Sequence, residues 1–329
     1  MKVNKKIAIL LSMVMVGSMF AGCANKDDSQ SNKENTKKEE AVDQKTEATT
    51  KDDYNFDNND YFTSLSWLEE NMDKNDKLLI IDARAEKEYK AGHIPGAINV
   101  AWQSLAKVEG KAGEKDWGTL QDKEALSDNL SKLGIKKESQ VVVYANKDGW
   151  GDDGRIVWCL QRAGIDARML NGGFDLWSSE QKEVTKDEPK EIAKSDLKLD
   201  SIKPDLNIST DDLKKEYKEL KIIDVRGEDE YKGATNFGEA RGGHLPDAIN
   251  IPFTKLYNED GTIKSNEEID KVMKEAGVEK SDNIVTYCTA GIRSAHMALV
   301  LKNAGYENVR NYDASYYEWA GDESNQVEK

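Results

Sequence analysis

One stretch of this chain is written twice. Ile80-Ile81-Asp82-Ala83-Arg84 is followed by Glu88-Tyr89 and then by Gly92-His93-Ile94-Pro95-Gly96-Ala97-Ile98-Asn99. The pattern returns as Ile222-Ile223-Asp224-Val225-Arg226, Glu230-Tyr231 and Gly243-His244-Leu245-Pro246-Asp247-Ala248-Ile249-Asn250. The first pieces are offset by 142 residues and the last by 151, so the second copy carries a nine-residue insertion, roughly residues 234–242. A period this long belongs to duplicated domains, because solenoids and propellers repeat every ~20–50 residues. The 329 residues also exceed the ~250 at which a single hydrophobic core stops growing.

Both copies continue alike. A helix-like segment (124–133; 266–276) leads through Gly134-Ile135 or Gly277-Val278 to a β-branched strand (141–144; 284–287), a glycine-containing loop and an apolar helix ending at Ala163-Gly164 or Ala304-Gly305, where glycine suits a helix C-terminus. A short strand and an aromatic turn close each copy, the turns containing Trp177 and Trp319. Strands alternating with helices predict an α/β fold: two domains, each a parallel sheet with helices on both faces. The expected boundaries are 60–180 and 206–322, joined by the charged, proline-containing linker 181–205.

The N-terminus has another character. Lys2, Lys5 and Lys6 precede an apolar run (7–20) too short to span a bilayer comfortably, and the small residues Ala21-Gly22 precede Cys23. This looks like a bacterial lipobox, with Cys23 as the lipidation site, so residues 1–23 are expected to be a lipoprotein signal and the mature protein an extracytoplasmic, membrane-anchored lipoprotein. Residues 24–59, almost without apolar side chains, are expected to form a disordered tether. A net charge of −15, or −18 without the three leader lysines, repels phosphate backbones and argues against a nucleic-acid partner.

The second copy carries Cys288-Thr289-Ala290-Gly291-Ile292-Arg293 between its β-branched strand and the next helix. A cysteine at a strand end, followed by a tight loop that opens a helix, faces backbone N–H groups and the positive end of the helix dipole. Those groups stabilise an anion and lower a thiol pKa. Gly291 permits a positive φ that keeps the amides pointing inward. Arg293 adds a permanent cation with several donors. The first copy has Ala145 at the cysteine's place and a longer, acidic loop over 146–154.

With a strand ending in Asp-x-Arg, the Gly-His-[Ile/Leu]-Pro turn and the strand–loop–helix, the sequence over about 61–319 resembles the rhodanese family, in the tandem form of the thiosulfate and 3-mercaptopyruvate sulfurtransferases. The resemblance implies a sulfurtransferase. Cys288 takes a sulfane sulfur as a persulfide from a small donor such as thiosulfate or 3-mercaptopyruvate and passes it to a thiol or cyanide acceptor, in two half-reactions. It implies substrate contacts from Thr289, Ala290, Gly291, Ile292 and Arg293, no cofactor and no metal, and an inactive first domain that walls the site. Phosphatases sharing this fold carry a loop one residue longer, so loop size favours sulfur over phosphorus.

Two departures concern the donor. Thr289 and Ala290 are neutral where thiosulfate enzymes tend to have basic residues, and Glu230 stands where tandem members tend to have arginine. Arg241, inside the insertion, is a candidate replacement for that anion contact. The alternative function is an extracytoplasmic sulfur carrier or redox relay with little small-molecule turnover.

Overall fold

The structure, a computed structural model, describes residues 59–189 and 191–329. The expected lipidation site Cys23 and the segment 24–58 lie outside the described residues.

The apolar runs Leu78-Leu79-Ile80-Ile81 and Val141-Val142-Val143 have no polar alternation, as strands covered on both faces require. In the first copy the chain runs β1 (Phe62–Thr63), α1 (Leu65–Asn71), β2 (Leu78–Asp82), α2 (Glu86–Ala91), β3 (Ile98–Asn99), α3 (Lys123–Lys132), β4 (Gln140–Tyr144), α4 (Asp152–Arg162), β5 (Asp166–Leu170) and α5 (Gly173–Ser179). The second copy repeats this as β6 (Asn207–Ile208), α6 (Thr210–Glu216), β7 (Leu220–Asp224), α7 (Glu228–Tyr231), β8 (Ile249–Asn250), α8 (Asn266–Glu275), β9 (Asn283–Tyr287), α9 (Ile292–Asn303), β10 (Val309–Tyr312) and α10 (Ser315–Gly321). The two five-stranded sheets have matching orders, β1-β5-β4-β2-β3 and β6-β10-β9-β7-β8, and every pairing of these strands is parallel. The expected α/β architecture holds in both copies.

Helix boundaries follow local chemistry. Ser64, Asp122 and Ser209 accept from backbone N–H groups at the starts of α1, α3 and α6, and Ser265 forms a capping box with Glu268 at α8. Past α4 and α9, Gly164 and Gly305 take the left-handed conformation (φ 79° and 88°) foreseen for them.

Helices α4 and α9 face each other across the domain boundary. Ile156, Val157, Trp158, Cys159 and Leu160 of α4 and Ala295, Met297, Ala298, Leu299, Val300 and Leu301 of α9 are buried in one continuous core that joins both copies. Every residue over 153–160 of α4 and 293–301 of α9 is buried, so each helix is covered on all sides along those turns. Here each helix has its own sheet on one side and the partner helix on the other, so separating the copies would expose both.

The linker is held against the first copy. Leu197 and Leu199 are buried, Ser195 N–H donates to the Ser131 carbonyl (2.9 Å) and Lys203 N–H to the Arg162 carbonyl (2.8 Å). Thr185 exchanges backbone hydrogen bonds with His93, as Glu328 does with His244 in the second copy. The tail past residue 322 thus belongs to the second fold unit. Among the described residues, no helix is long and apolar enough to cross a membrane.

Candidate active site

The Asp-x-Arg strand ends build a buried frame. Arg226 Nε and Nη2 lie 3.0 and 2.6 Å from the two oxygens of Asp224, and Nη2 also donates to the Gly243 carbonyl at 2.7 Å. Tyr287 hydroxyl donates to Asp224 at 2.7 Å and accepts from Leu245 N–H at 3.1 Å. Asp82, Arg84, Gly92, Tyr144 and Ile94 repeat this in the first copy. His93 and His244 stack on Tyr89 and Tyr231 at 3.8 and 3.7 Å, with Nδ1 2.9 Å from each tyrosine carbonyl. They tie the turn to α2 and α7 and lie within structural contacts in both copies.

Cys288 follows β9 directly, and Gly291 caps α9 with φ 80°. A Cβ at Gly291 would sit 2.4 Å from the Asp313 carbonyl, so only glycine fits. Cys288 N–H donates to Ser315 Oγ (3.2 Å), its carbonyl accepts from Tyr316 N–H (3.0 Å), and Ser294 Oγ lies 3.6 Å from Sγ. The thiol is 1% exposed, and burial pushes its pKa up. The charge of Arg293, the amide and hydroxyl of Ser294 and the amide of Ala290 outweigh that and bring it below the ordinary thiol value. The loop can hold a thiolate.

Arg293 is not a free anion receptor. Its Nη1 and Nη2 lie 2.7 and 2.8 Å from the two oxygens of buried Glu230, and Nη2 donates to Thr289 Oγ1 at 2.8 Å. Thr289 Oγ1 is itself 3.1 Å from Glu230. The guanidinium also lies under aromatic rings, 4.9 Å from that of Trp150 and 5.9 Å from that of Phe237. Trp150 comes from the first copy's long loop and Phe237 from the insertion.

Arg155 of α4 supports the loop from beneath. Wholly buried, it pairs with Asp313, donates to the Gly118 carbonyl at 2.9 Å and lies 3.4 Å from the Gly291 carbonyl. The second oxygen of Asp313 accepts from Leu120 N–H at 2.9 Å. Residues of the first copy thus grip both sides of the second copy's loop.

The structure places Cys288, Thr289, Ala290 and Gly291 in one loop and Ile292 and Arg293 at the start of α9 that it opens. It does not bring Arg241 there as an anion contact. Nε donates to the Ala320 carbonyl (2.9 Å), Nη1 to Asn325 (2.9 Å), and Nη2 to Asp322 (2.7 Å) and Trp319 (3.2 Å). With its donors turned to backbone carbonyls, Arg241 clasps the insertion to the C-terminal tail, which corrects the expectation. Asn258 and Thr262 close their turn on each other and on Asp260 (Asn258 N–H to Thr262 carbonyl, 2.8 Å; Thr262 N–H to Asp260 Oδ1, 2.9 Å).

Sequence reasoning missed Arg155, the Glu230–Arg293 pair and Ser315. Ser315 has φ 54°, where the first copy has Gly173 at the same φ. A serine replacing the glycine of the other copy was the legible signal, since a non-glycine residue in that region is strained. Its hydroxyl holds the Cys288 amide.

The rhodanese-like domain profile matches residues 64–180 and 209–322. A relative from Saccharopolyspora erythraea is 32% identical over 267 residues, covering 78% of this chain and 92% of its own. The sulfur carrier protein TtuD of Thermus thermophilus is 30% identical over 274 residues, with coverage of 78% and 92%, and a thiosulfate sulfurtransferase of Corynebacterium glutamicum is 29% identical over 268 residues, with coverage of 78% and 86%. Among solved structures, the anaerobic ergothioneine biosynthesis enzyme from Chlorobium limicola shares the fold, with TM-score 0.67 at 22% identity over 78% of this chain and 65% of that one. With the profile matching both copies, and the strand–loop–helix of Cys288 in the second, the chain belongs to the rhodanese family of sulfurtransferases and carries two rhodanese-like domains.

Proposed function

We propose that this protein moves a sulfane sulfur through a persulfide on Cys288. The thiolate attacks the outer sulfur of thiosulfate or a related donor, the sulfur–sulfur bond breaks, and sulfite or a thiolate leaves with the bonding pair. A thiol or cyanide then attacks the outer sulfur of the persulfide and releases the Cys288 thiolate, so no net oxidation occurs. The single observation that supports this reading is a fully buried thiol whose pKa lies below the ordinary value, held by Arg293 and the amides of the α9 N-terminus. A thiol whose ionisation is favoured in this way relies less on a general base. His296 is engaged elsewhere, with Nε2 at the Tyr257 hydroxyl and Nδ1 3.3 Å from Asp153. The test is steady-state turnover with thiosulfate and cyanide, which a transferase of small molecules sustains.

A second reading, a sulfur carrier or relay, is favoured by the near-complete burial of Cys288 and by the relative named as a sulfur carrier. It predicts stoichiometric loading and hand-over to a protein thiol with little cyanide turnover. We also propose export and lipidation at Cys23, on the strength of the leader pattern alone. Cys23→Ala should then leave the precursor unprocessed or release the protein from membranes.

A further inference from the structure

The charges around Cys288 do not suit the smallest sulfane donors. Once Cys288 is ionised for attack, it and Glu230 carry one negative charge each against the one positive charge of Arg293, so the reacting loop is net negative. Glu230 is held ionised, because Arg293, the Gly227 amide and Arg226 outweigh the upward push of burial. Arg226 and Arg155, the other cations nearby, are neutralised by Asp224 at 2.6 Å and by Asp313. The insertion adds a further carboxylate. Glu239 is 6% exposed, its Oε2 accepts from Phe237 N–H at 3.0 Å, and its Oε1 is buried with no hydrogen-bond partner among the described residues. It lies on the same side of the fold: the Tyr317 hydroxyl donates to the carbonyl of the same Phe237 at 2.6 Å, and the Phe237 ring lies 5.9 Å from the Arg293 guanidinium. An orphaned buried carboxylate oxygen is costly unless something donates to it.

The surface beside Arg293 is apolar as well. Trp150 and Phe237 remain 49% and 40% exposed while meeting edge to face at 5.1 Å beside the Arg293 guanidinium. Such a lip favours a donor with an organic body over a bare oxyanion.

We propose that the Cys288 loop receives its sulfur from small aminothiol persulfides with no net negative charge, that Glu230 disfavours dianions such as thiosulfate by neutralising Arg293, and that Glu239 Oε1 accepts a hydrogen bond from the donor's ammonium group. This rests on the persulfide reading above. The step balances: Cys288–S⁻ and R–S–SH give Cys288–S–SH and R–S⁻, one sulfur–sulfur bond forming as another breaks and the bonding pair leaving with the thiolate.

The test is the rate of sulfur loading onto Cys288 in the full-length protein, with cysteamine persulfide and with thiosulfate, at two salt concentrations. Wild-type loading by thiosulfate should accelerate with salt, because screening relieves repulsion between a net-negative site and a dianion. Glu230→Gln, which keeps the side-chain shape but frees the Arg293 charge, should raise thiosulfate loading about tenfold with little change for cysteamine persulfide. Glu239→Gln should slow cysteamine persulfide severalfold. Thiosulfate loading that slows with added salt in the wild type, together with an unchanged donor ratio in Glu230→Gln, would overturn the proposal while leaving the persulfide intact. Loading by neither donor would instead remove the persulfide reading and the proposal with it.

Discussion

The two copies build the same strand, loop and helix and then treat the helix N-terminus in opposite ways. In the second copy Cys288 follows β9, three residues later Gly291 caps α9, and the first turn carries no carboxylate. In the first, Ala145 follows β4, Gly151 caps α4 six residues on, and Asp152 and Asp153 fill the first turn. Cradle details persist: Asn146 Nδ2 donates to Glu88 at 2.8 Å where Thr289 meets Glu230, and Ala145 carbonyl accepts from Phe174 N–H at 3.0 Å where Cys288 meets Tyr316. What differs is which anion the helix dipole serves. Fixed carboxylates occupy it in the first copy, and in the second it is left for a thiolate. The first copy's altered loop is not idle, since it supplies Trp150 to Arg293, and Arg155 beyond it holds Gly291 and Asp313.

The largest way to break the comparison is to remove the thiol. Cys288→Ser should lower sulfur transfer at least about a thousandfold, and Cys159→Ala should change it less than about threefold, measured in the same assay. Burial pushes the Cys159 thiol up to about 11, whereas Cys288, equally buried, lies below the ordinary value. Equal losses would point to a dithiol mechanism.

Rebuilding the nucleophile in the first copy should fail. Ala145→Cys in a Cys288→Ser background is expected to take up less than about a hundredth of the wild-type sulfur, because Asp152 and Asp153 oppose ionisation of a thiol there. Appreciable loading would mean that one substitution separates the copies.

Arg155→Met should destabilise the whole protein by about 3–5 kcal/mol in chemical denaturation, because it leaves Asp313 buried without its partner. A loss under about 1 kcal/mol would show that the copies are coupled only by the apolar α4–α9 contact.

The pH profile of sulfur loading should rise as Cys288 ionises, with its midpoint below that of an ordinary thiol. Arg293→Met removes the cation and should shift that rise upward by about one unit. The smallest effect concerns Asp152, raised to about 6 chiefly by burial and further by Asp153. A carboxyl with a folded pKa above its unfolded value favours the folded state at low pH, and that contribution is lost as pH rises through about 6. Asp152→Asn should abolish this drop, roughly 1–2 kcal/mol between pH 4 and 7.

Much of this was legible because it is encoded locally. The apolar runs of β2, β4, β7 and β9, the Gly-His-Pro turns and the Cys288–Gly291 spacing each need only adjacent residues to be recognised. The charge balance was not, because it is set by contacts distant in sequence: Glu230 meets Arg293 across 63 residues and Arg155 meets Asp313 across 158. Arg241 shows the converse. An arginine in a glycine-rich insertion reads the same whether its donors face an anion or, as here, the carbonyls of residues 319–325.

The most direct measurement is peptide-level mass spectrometry of the wild-type protein after brief exposure to a sulfane donor, locating the added sulfur. The account predicts one added sulfur atom on the peptide containing Cys288, none on that containing Cys159, and its discharge when a thiol acceptor is supplied. Sulfur found on Cys159, or an unmodified Cys288 under conditions where free thiols are loaded, would contradict it.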